Sequence, residues 1–320
     1  GIPVGKNLKF LYPGSHYIGH DGESASWPDD PSGRDLSYYE QNKFGGSKSY
    51  HVLGTPDRYF GALWEKEDVG MIHYSHREDK LGKKIFLWAQ SEEGRIWEDL
   101  LTDNSGQYVE IQSGRLFNQN DFQSSLTPFK QVGFSPYSSE NWTEYWYPFD
   151  GIQGFTDANL TGAFNMEVTD GQLSVRISPV QPIRDSLLVY NAQGIKIGSS
   201  FVEAKPLNPI HIKVELPAGQ MASKIEIQGN TLQLEKQKPL SRPLEIPDEF
   251  EEESAYGLFL QGRDLARFRD YERAISKIQS SLEKEPFFIP ALVEMAKLKL
   301  CQLQYVSAFQ YARKALSRDT

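Results

Sequence analysis

The first half of the chain alternates short apolar runs with clusters of turn-forming residues. Between residues 1 and 165 the apolar runs include YFGALW, VGMIHYS and KKIFLWAQ, and the turns between them include KEDVG, REDKLG and SEEG. Apolar runs of this length, separated by such turns, are typical of strands in an antiparallel sheet. The pattern therefore predicts a large β domain over residues 1–165, with long irregular loops around its sheets.

A tighter alternation with a period of two residues occupies residues 166–237. Ile210, Ile212, Val214 and Leu216 alternate strictly with other residues, and similar stretches lie on both sides of them. About six or seven short strands in such a segment predict a small β-sandwich of the immunoglobulin or fibronectin type. The segment has no histidine cluster and no paired acids beside a loop, so we expect it to act as a spacer.

The last segment, residues 238–320, has a helical pattern with an internal repeat. It opens with the proline-rich stretch KQKPLSRPLEIP, and Pro247 followed by several acids suits the first turn of a helix. Three positions recur thirty-four residues apart: Gly262 and Ala296, Ala274 and Ala308, Leu282 and Leu316. This repeat length, with small residues where paired helices approach, is typical of tetratricopeptide-type helical hairpins. Such repeats commonly bind peptides on a stacked surface, so we expect a protein or peptide partner here.

Composition and charge exclude several classes of protein. The chain of 320 residues has a net charge of −9, and its largest basic cluster is Lys80, Lys83 and Lys84, so we expect no nucleic-acid partner. No window of about eighteen apolar residues occurs, which predicts no membrane-spanning helix. The single cysteine, Cys301, excludes an internal disulfide and any zinc site built from several cysteines. Because it lies among leucines, we expect it to be buried.

One carboxylate stands out within the β domain. In the stretch GQYVEIQSGRLFNQ, alternation places Tyr108, Glu110 and Gln112 on one face of a strand and Val109 and Ile111 on the other. A hydroxyl, a carboxylate and an amide would then project together. Glu110 either points to water from an ordinary strand, or points into a polar pocket where it takes part in chemistry.

The same stretch carries a resemblance to a known family. GKKIFLWAQSEEGRIWEDLLTDNSGQYVEIQSGRLFNQ, together with WPDD and EYWYPFDGIQGF, resembles uncharacterised bacterial proteins that join a galactose-mutarotase-like β-supersandwich to tetratricopeptide repeats. The resemblance implies a partial supersandwich, an immunoglobulin-like spacer and helical repeats. VEIQ matches the mutarotase motif, which implies that Glu110 is the catalytic acid or base and that Gln112 is its neighbouring amide. The stretch before Glu110 is shorter than a complete supersandwich, so the β domain is expected to be incomplete.

Further site residues are expected around Glu110. Aromatic rings stack on the apolar faces of sugars, while amides and arginine hold the hydroxyls. The candidates for these contacts are Trp88, Trp142, Tyr145, Trp146, Arg115, Asn118 and Gln119. Glu144 shares a strand face with Trp142 and Trp146, and it is the first candidate for a second carboxylate. Each has a plainer alternative: Trp88 as a core residue, and Glu144 as a solvated acid.

Proton transfer at an anomeric centre also needs a second group, and histidines are the candidates. His51 and His73 are the candidate catalytic histidines, with His20 as a further alternative. His73 and His76 could bind a metal only with a third ligand such as Glu78 or Asp79. A hydrogen-bonded turn explains this pair better, so no metal and no cofactor are expected.

Two functions follow from these residues. The first is a carbohydrate-active enzyme, an epimerase or glycosidase that uses Glu110. The second is a non-catalytic scaffold that binds glycans through its β part and a protein through its helices. The compartment is left open, with an extracytoplasmic location favoured over a cytoplasmic one.

Overall fold

A computed structural model gives the fold of the chain. The structure describes residues 1–20, 24–76, 79–80, 82–117, 119, 137–234 and 249–318. The strands and one helix belong to one compact unit, and the C-terminal helices belong to a second. The predicted order, a β-rich part followed by a helical part, is therefore confirmed. None of the helices within the described ranges is long and apolar enough to cross a membrane.

The strands before residue 151 form two antiparallel sheets in the described part of the chain. In chain order the elements are β1 (Ile2–Pro3), β2 (Leu8–Leu11), β3 (His16–Ile18), β4 (Ser24–Ser26), β5 (Ser47–Leu53), β6 (Tyr59–Trp64), β7 (Val69–Ser75), β8 (Gly82–Trp88), α1 (Glu92–Leu101), β9 (Tyr108–Gly114) and β10 (Glu144–Asp150). A six-stranded sheet has the order β1–β9–β8–β5–β3–β4, and a four-stranded sheet has the order β10–β7–β6–β2. Strand β9, which carries Glu110, pairs with β8 along most of its length.

Apolar side chains that alternate along the strands fill the space between these sheets. From the six-stranded sheet they include Tyr50, Val52, Ile85, Leu87 and Val109, each at most 1% exposed. They belong to one core cluster with Phe10 and Phe60 of the four-stranded sheet. Burial of each large apolar side chain contributes about 1.5–3 kcal/mol. Because alternate residues on β5, β8 and β9 point inward, the intervening residues are all directed to the outer face of the sheet.

A second pair of sheets follows. Its strands are β11 (Asp157–Asn159), β12 (Gly162–Thr169), β13 (Gln172–Pro179), β14 (Ile183–Tyr190), β15 (Lys196–Ala204), β16 (Ile210–Glu215), β17 (Lys224–Ile227) and β18 (Asn230–Gln233). One sheet has the order β11–β12–β13–β16 and the other β15–β14–β17–β18. Phe164, Val175, Leu187 and Ile225 are fully buried in their shared core. The two sheets therefore form a β-sandwich, as the alternation predicted.

The predicted boundary between residues 165 and 166 falls inside this sandwich. Strand β12 runs through it, and β11 already pairs with β12 from Asp157 onward. The second sandwich therefore begins near Asp157. The aromatic-rich and glycine-rich composition of the first domain continues past the point where the new pairing starts, so composition placed the boundary too late.

Four helices form the second unit within the described residues: α2 (Ala255–Arg267), α3 (Tyr271–Lys284), α4 (Ile289–Cys301) and α5 (Tyr305–Leu316). Helix α2 begins at Ala255, where the Ser254 hydroxyl accepts a hydrogen bond of 3.0 Å from the Gly257 N–H. Pro247 lies outside the described residues, and Glu251–Glu253 precede the helix instead of occupying its first turn. The predicted start was wrong because the Ser254 side chain is the better N-cap.

The repeated small residues lie where paired helices meet. Ala274 of α3 is fully buried, and Ala308 of α5, thirty-four residues later, is 8% exposed. Cys301 was expected to be buried, but it is exposed. It lies about 110° around α4 from the middle of the buried stripe formed by Ala291, Leu292, Met295 and Leu298. Leucines nearby in sequence therefore do not cover it.

The closest helix approach gives a stability prediction at Gly262. A Cβ atom there would lie 2.7 Å from Ile278 Cγ1 and 3.0 Å from the carbonyl oxygen of Ala274. Gly262→Val should therefore destabilise the helical unit by about 1–3 kcal/mol, because the helices would have to separate. Thermal unfolding followed by circular dichroism measures the change. Gln279→Val on the exposed face of α3 is the control, and an equal loss of stability in both variants would contradict the tight contact.

Candidate functional site

The predicted site residues divide between the two faces of the β8–β9 strand pair. Val109 of β9 is buried between the sheets, and Ile111 packs against the same core. Glu110 and Gln112 therefore point to the outer face of the six-stranded sheet. Glu110 is paired in register with Phe86, and Gln112 with Lys84. The strand face predicted from the alternation is present, and its neighbours are set by the pairing with β8.

Polar side chains from three strands meet on this outer face. The Gln112 side-chain amide donates a hydrogen bond to Glu110 Oε2. Lys84 Nζ donates to Gln119 Oε1 at 2.6 Å, and the backbone N–H of Gln119 donates to His51 Nε2 at 2.9 Å. The structure therefore brings Glu110, Gln112 and Gln119 together on this face. Asn118 lies outside the described residues.

Three aromatic rings adjoin these polar groups. Phe86 makes an edge contact with Trp88, with ring centroids 5.0 Å apart. Trp88 stacks on Trp97 of α1 at 4.8 Å with an interplanar angle of 18°. Trp97 is 36% exposed, so the stack reaches solvent. We define the outer face as Lys84, Phe86, Trp88, Trp97, Glu110, Gln112 and Gln119.

His51 lies on the same side of the six-stranded sheet as these residues, and both of its ring nitrogens are hydrogen-bonded. Its side chain is 2% exposed, and its Nδ1 bonds the carbonyl oxygen of Ile18 at 2.8 Å. Its Nε2 accepts the bond from Gln119, which leaves the ring proton on Nδ1. Burial lowers the pKa of His51 to about 3, so the ring is neutral near neutral pH. With both nitrogens bonded, His51 is not the proton donor that the sequence predicted.

Lys84 carries the positive charge of the outer face. Burial of its side chain lowers its pKa, whereas the nearby Glu110 carboxylate acts in the opposite direction. The ammonium group and the carboxylate thus lie on one face with the amides of Gln112 and Gln119. Such a set can both donate and accept hydrogen bonds around a polyhydroxylated ligand.

His73 and Glu144 form a separate cluster between the two sheets. His73 Nε2 lies 2.9 Å from Glu144 Oε2, and Ser113 of β9 donates its hydroxyl hydrogen to the same oxygen. The His73 ring stacks on Phe60 at 4.4 Å. Burial lowers its pKa to about 4, although the bond to Glu144 opposes this shift. His73 therefore faces the interior and does not join Glu110 as a second catalytic group.

The remaining predicted residues lie near the His73–Glu144 cluster, or away from both this cluster and the outer face. Trp146 makes an edge contact with His73 at 4.8 Å, and Tyr145 points to the other face of β10, 6.5 Å from Tyr74. Lys80 lies 4.0 Å above the Trp142 ring, and Arg115 forms an ion pair with Glu140. Trp142, Tyr145, Trp146, Glu144 and Arg115 are thus not brought to the outer face.

Within the described residues, the possible metal pair of His73 and His76 gains no third ligand. Across the described ranges, no group of His, Cys, Asp and Glu residues could hold a metal ion. Glu78 lies outside those ranges. His73 Nε2 is instead hydrogen-bonded to Glu144 Oε2.

Sequence reasoning missed three residues of the outer face. Lys84 and Phe86 alternate with the buried Ile85 and Leu87 on β8, so the same period-two reading applied to Glu110 could have found them. Trp97 comes from a helix, and its stacking on Trp88 depends on where α1 lies after β8. No local pattern carried that information.

Comparisons with known proteins give a coarse family assignment for part of the chain. Residues 1–149 match the model of a domain of unknown function, DUF5107. This segment contains the complete outer face and most of β10. A crystal structure of a TPR-domain containing protein from Parabacteroides distasonis ATCC 8503 aligns with 97% of this chain at 13% identity and a TM-score of 0.31. The alignment covers 47% of that protein, so this chain spans about half its length.

Proposed function

We propose that the outer face of the six-stranded sheet binds carbohydrate. The observation that carries the proposal is the position of the Glu110–Gln112 pair beside the aromatic groups Phe86, Trp88 and Trp97. The resemblance of VEIQ to the mutarotase motif supports the same residues. The helical unit, for which the repeats predict a protein partner, offers a separate surface.

The chemistry of the face suits a sugar. The apolar C–H face of a pyranose can stack on the exposed part of the Trp97 ring, which is worth about 0.5–1.5 kcal/mol beyond the buried area. Hydroxyl groups can donate to the Glu110 carboxylate, and each hydrogen bond to a charged group contributes about 1.5–3 kcal/mol. Lys84 and Gln119 supply donors and acceptors for neighbouring hydroxyls.

Recognition without turnover is the better supported form of this proposal. Anomeric chemistry needs one group to take a proton while another gives one. His51 has both ring nitrogens bonded, and His73 lies between the sheets, so neither is placed to donate beside Glu110. Glu110 then acts as a binding carboxylate.

The proposal predicts that Glu110→Gln weakens glycan binding. Removing the charge while keeping the shape should reduce affinity by about tenfold or more, because a charge-assisted hydrogen bond becomes a neutral one. Isothermal titration against a broad panel of mono- and oligosaccharides measures the loss. Glu203→Gln on the exposed part of β15 is the control and should bind as the unchanged protein does.

Two results would contradict the proposal. The first is that no glycan of the panel binds the unchanged protein. The second is that Glu110→Gln and Glu203→Gln bind equally well. An assay of sugar mutarotation by NMR separates recognition from catalysis: we expect no rate above the uncatalysed one, and a Glu110-dependent rate would favour the enzyme.

A further inference from the structure

An open apolar groove runs between α4 and α5. It has a volume of about 480 Å³, and its walls include Val293, Leu300, Phe309 and Leu316. These four side chains are 40–70% exposed. Contiguous exposed apolar side chains that line a concave surface mark an interaction site. We call this feature the α4–α5 groove.

The rim of the α4–α5 groove is basic. Lys297 of α4 lines the groove. Arg313 of α5 is exposed, and it lies four residues after Phe309 and three before Leu316, on the same side of the helix. Helix α5 contains no acidic residue. Glu294, which bonds Lys297 at 3.3 Å, is the only acid between residues 286 and 318.

Helix α1 presents the opposite combination. Ile96, Leu100 and Leu101 are 55–63% exposed and lie on adjoining sides of the helix. Glu92 and Asp99 are exposed as well, four residues before and three residues after Ile96, and so border the apolar side chains. We call these five residues the α1 face. The α1 face is apolar with an acidic border, whereas the α4–α5 groove is apolar with a basic one.

We propose that the α1 face of one copy of this chain docks into the α4–α5 groove of a second copy. The charges are complementary, so Asp99 and Glu92 would approach Arg313 and Lys297 as the apolar side chains enter the groove. The sizes also agree. Helix α1 is about 15 Å long and α5 about 18 Å, and the groove has room for a few aliphatic side chains.

This contact joins two different surfaces, so it is head-to-tail. Each copy in a pair keeps one unused α1 face and one unused groove, which allows further copies to add as a ring or an open chain. The inference goes beyond glycan recognition, because neither surface includes Glu110, Gln112 or Lys84. Trp97 of the outer face lies between Leu100 and Leu101 around α1, so docking would compete with a sugar that stacks on Trp97.

Sedimentation of the full chain tests the proposal. We expect association that increases with protein concentration, with a Kd on the order of 10–100 µM, and that weakens with added salt. Asp99→Arg and Arg313→Asp should each weaken it by about tenfold or more, because each places like charges across the contact. Glu203→Arg changes an exposed acid on β15 and is the matched control, which should associate like the unchanged protein.

Mixing the two single variants gives the sharper result. Asp99→Arg carries a basic α1 face and an unchanged groove, and Arg313→Asp carries an acidic groove rim and an unchanged α1 face. The altered α1 face of the first should pair with the altered groove of the second. The unchanged α1 face of the second should likewise pair with the unchanged groove of the first. The mixture should therefore associate with alternating copies of the two variants, as the unchanged protein associates, although neither variant associates alone.

Defined outcomes overturn the proposal. A chain that sediments as a monomer at every concentration excludes the contact. So does association that both charge reversals leave unchanged, or a mixture that stays monomeric while the unchanged protein associates. Circular dichroism of each variant verifies that it is folded. Glycan titration at a protein concentration far below the Kd of self-association reports separately on the outer face.

Discussion

Lowering the pH from 7 to 4 should destabilise the β-rich unit by several kcal/mol through two buried histidines. In the unfolded chain a histidine takes up a proton below about pH 6.5. In the folded protein His51 stays neutral until about pH 3 and His73 until about pH 4, because burial disfavours the charged ring. Between these values the unfolded state binds more protons, so the stability present above pH 6.5 is lost as the pH falls. Each histidine accounts for about 2–3 kcal/mol at pH 4.

Urea unfolding at a series of pH values, followed by tryptophan fluorescence, measures this loss. All six tryptophans lie before residue 150, so the signal reports on the first part of the β-rich unit. His51→Asn keeps a donor for the Ile18 carbonyl oxygen but cannot titrate, and it should remove about half of the loss that the two histidines cause. His76→Asn, at an exposed position, is the control. An unchanged slope in His51→Asn would show that His51 is not held neutral.

Replacing Asp157 by an uncharged residue should stabilise the β-rich unit at alkaline pH. Asp157 begins β11, and burial raises its pKa from 3.8 to about 7, while the Ala158 backbone N–H acts against this shift and the nearby Asp57 adds to it. In the unfolded chain the carboxyl loses its proton near pH 3.8. The unfolded state therefore binds fewer protons between about pH 4 and 7, and the stability present below that range is lost as the pH rises.

Asp157→Asn removes this loss, since an amide is neutral in both states. The variant should be about 2–4 kcal/mol more stable than the unchanged protein at pH 8, and the difference should shrink toward zero or reverse at pH 4. Urea unfolding at the two pH values measures it. Glu167→Gln, on the exposed side of β12, is the matched control. Equal stability of Asp157→Asn and the unchanged protein at pH 8 would mean that Asp157 is ionised in the fold without penalty.

These two effects overlap between about pH 4 and 6.5 and have opposite signs. The histidines weaken the fold as the pH falls, and Asp157 weakens it as the pH rises. Because Asp157 offsets part of the histidine effect, the stability of Asp157→Asn should vary more with pH in this range than that of the unchanged protein. Glycan titration of the unchanged protein and of Glu110→Gln is therefore best carried out between pH 5 and 7, where we expect the β-rich unit to stay folded.

The sequence predicted the strand face that carries Glu110. Alternation along β9 placed Glu110 and Gln112 on one face, and the structure brings Gln119 to them. The sequence wrongly placed His73, Glu144 and Trp146 near Glu110. Each of them lies on a strand of the other sheet or faces the space between the sheets, and a pattern along one strand does not tell which sheet that strand joins.

Errors at the element boundaries have local causes. The first helix of the second unit was expected at Pro247, but Ser254 caps it, because a side-chain hydroxyl satisfies a free N–H and proline only tolerates the position. Cys301 was expected inside on account of its leucine neighbours, although its angle around α4 directs it outward. Both predictions were based on residue composition, whereas the start of a helix and the exposure of a side chain depend on local geometry.

By itself, the sequence determined the β-then-α order, the faces of single strands and the thirty-four-residue repeat, because each depends on contacts between residues close along the chain. The tertiary structure alone decided that Lys84, Phe86 and Trp97 adjoin Glu110, that His51 is bonded at both nitrogens, and that Asp157 is half-buried. These features depend on which strands pair and how sheets and helices pack. Side chains far apart in sequence then share one environment, and that environment sets their pKa values and their partners.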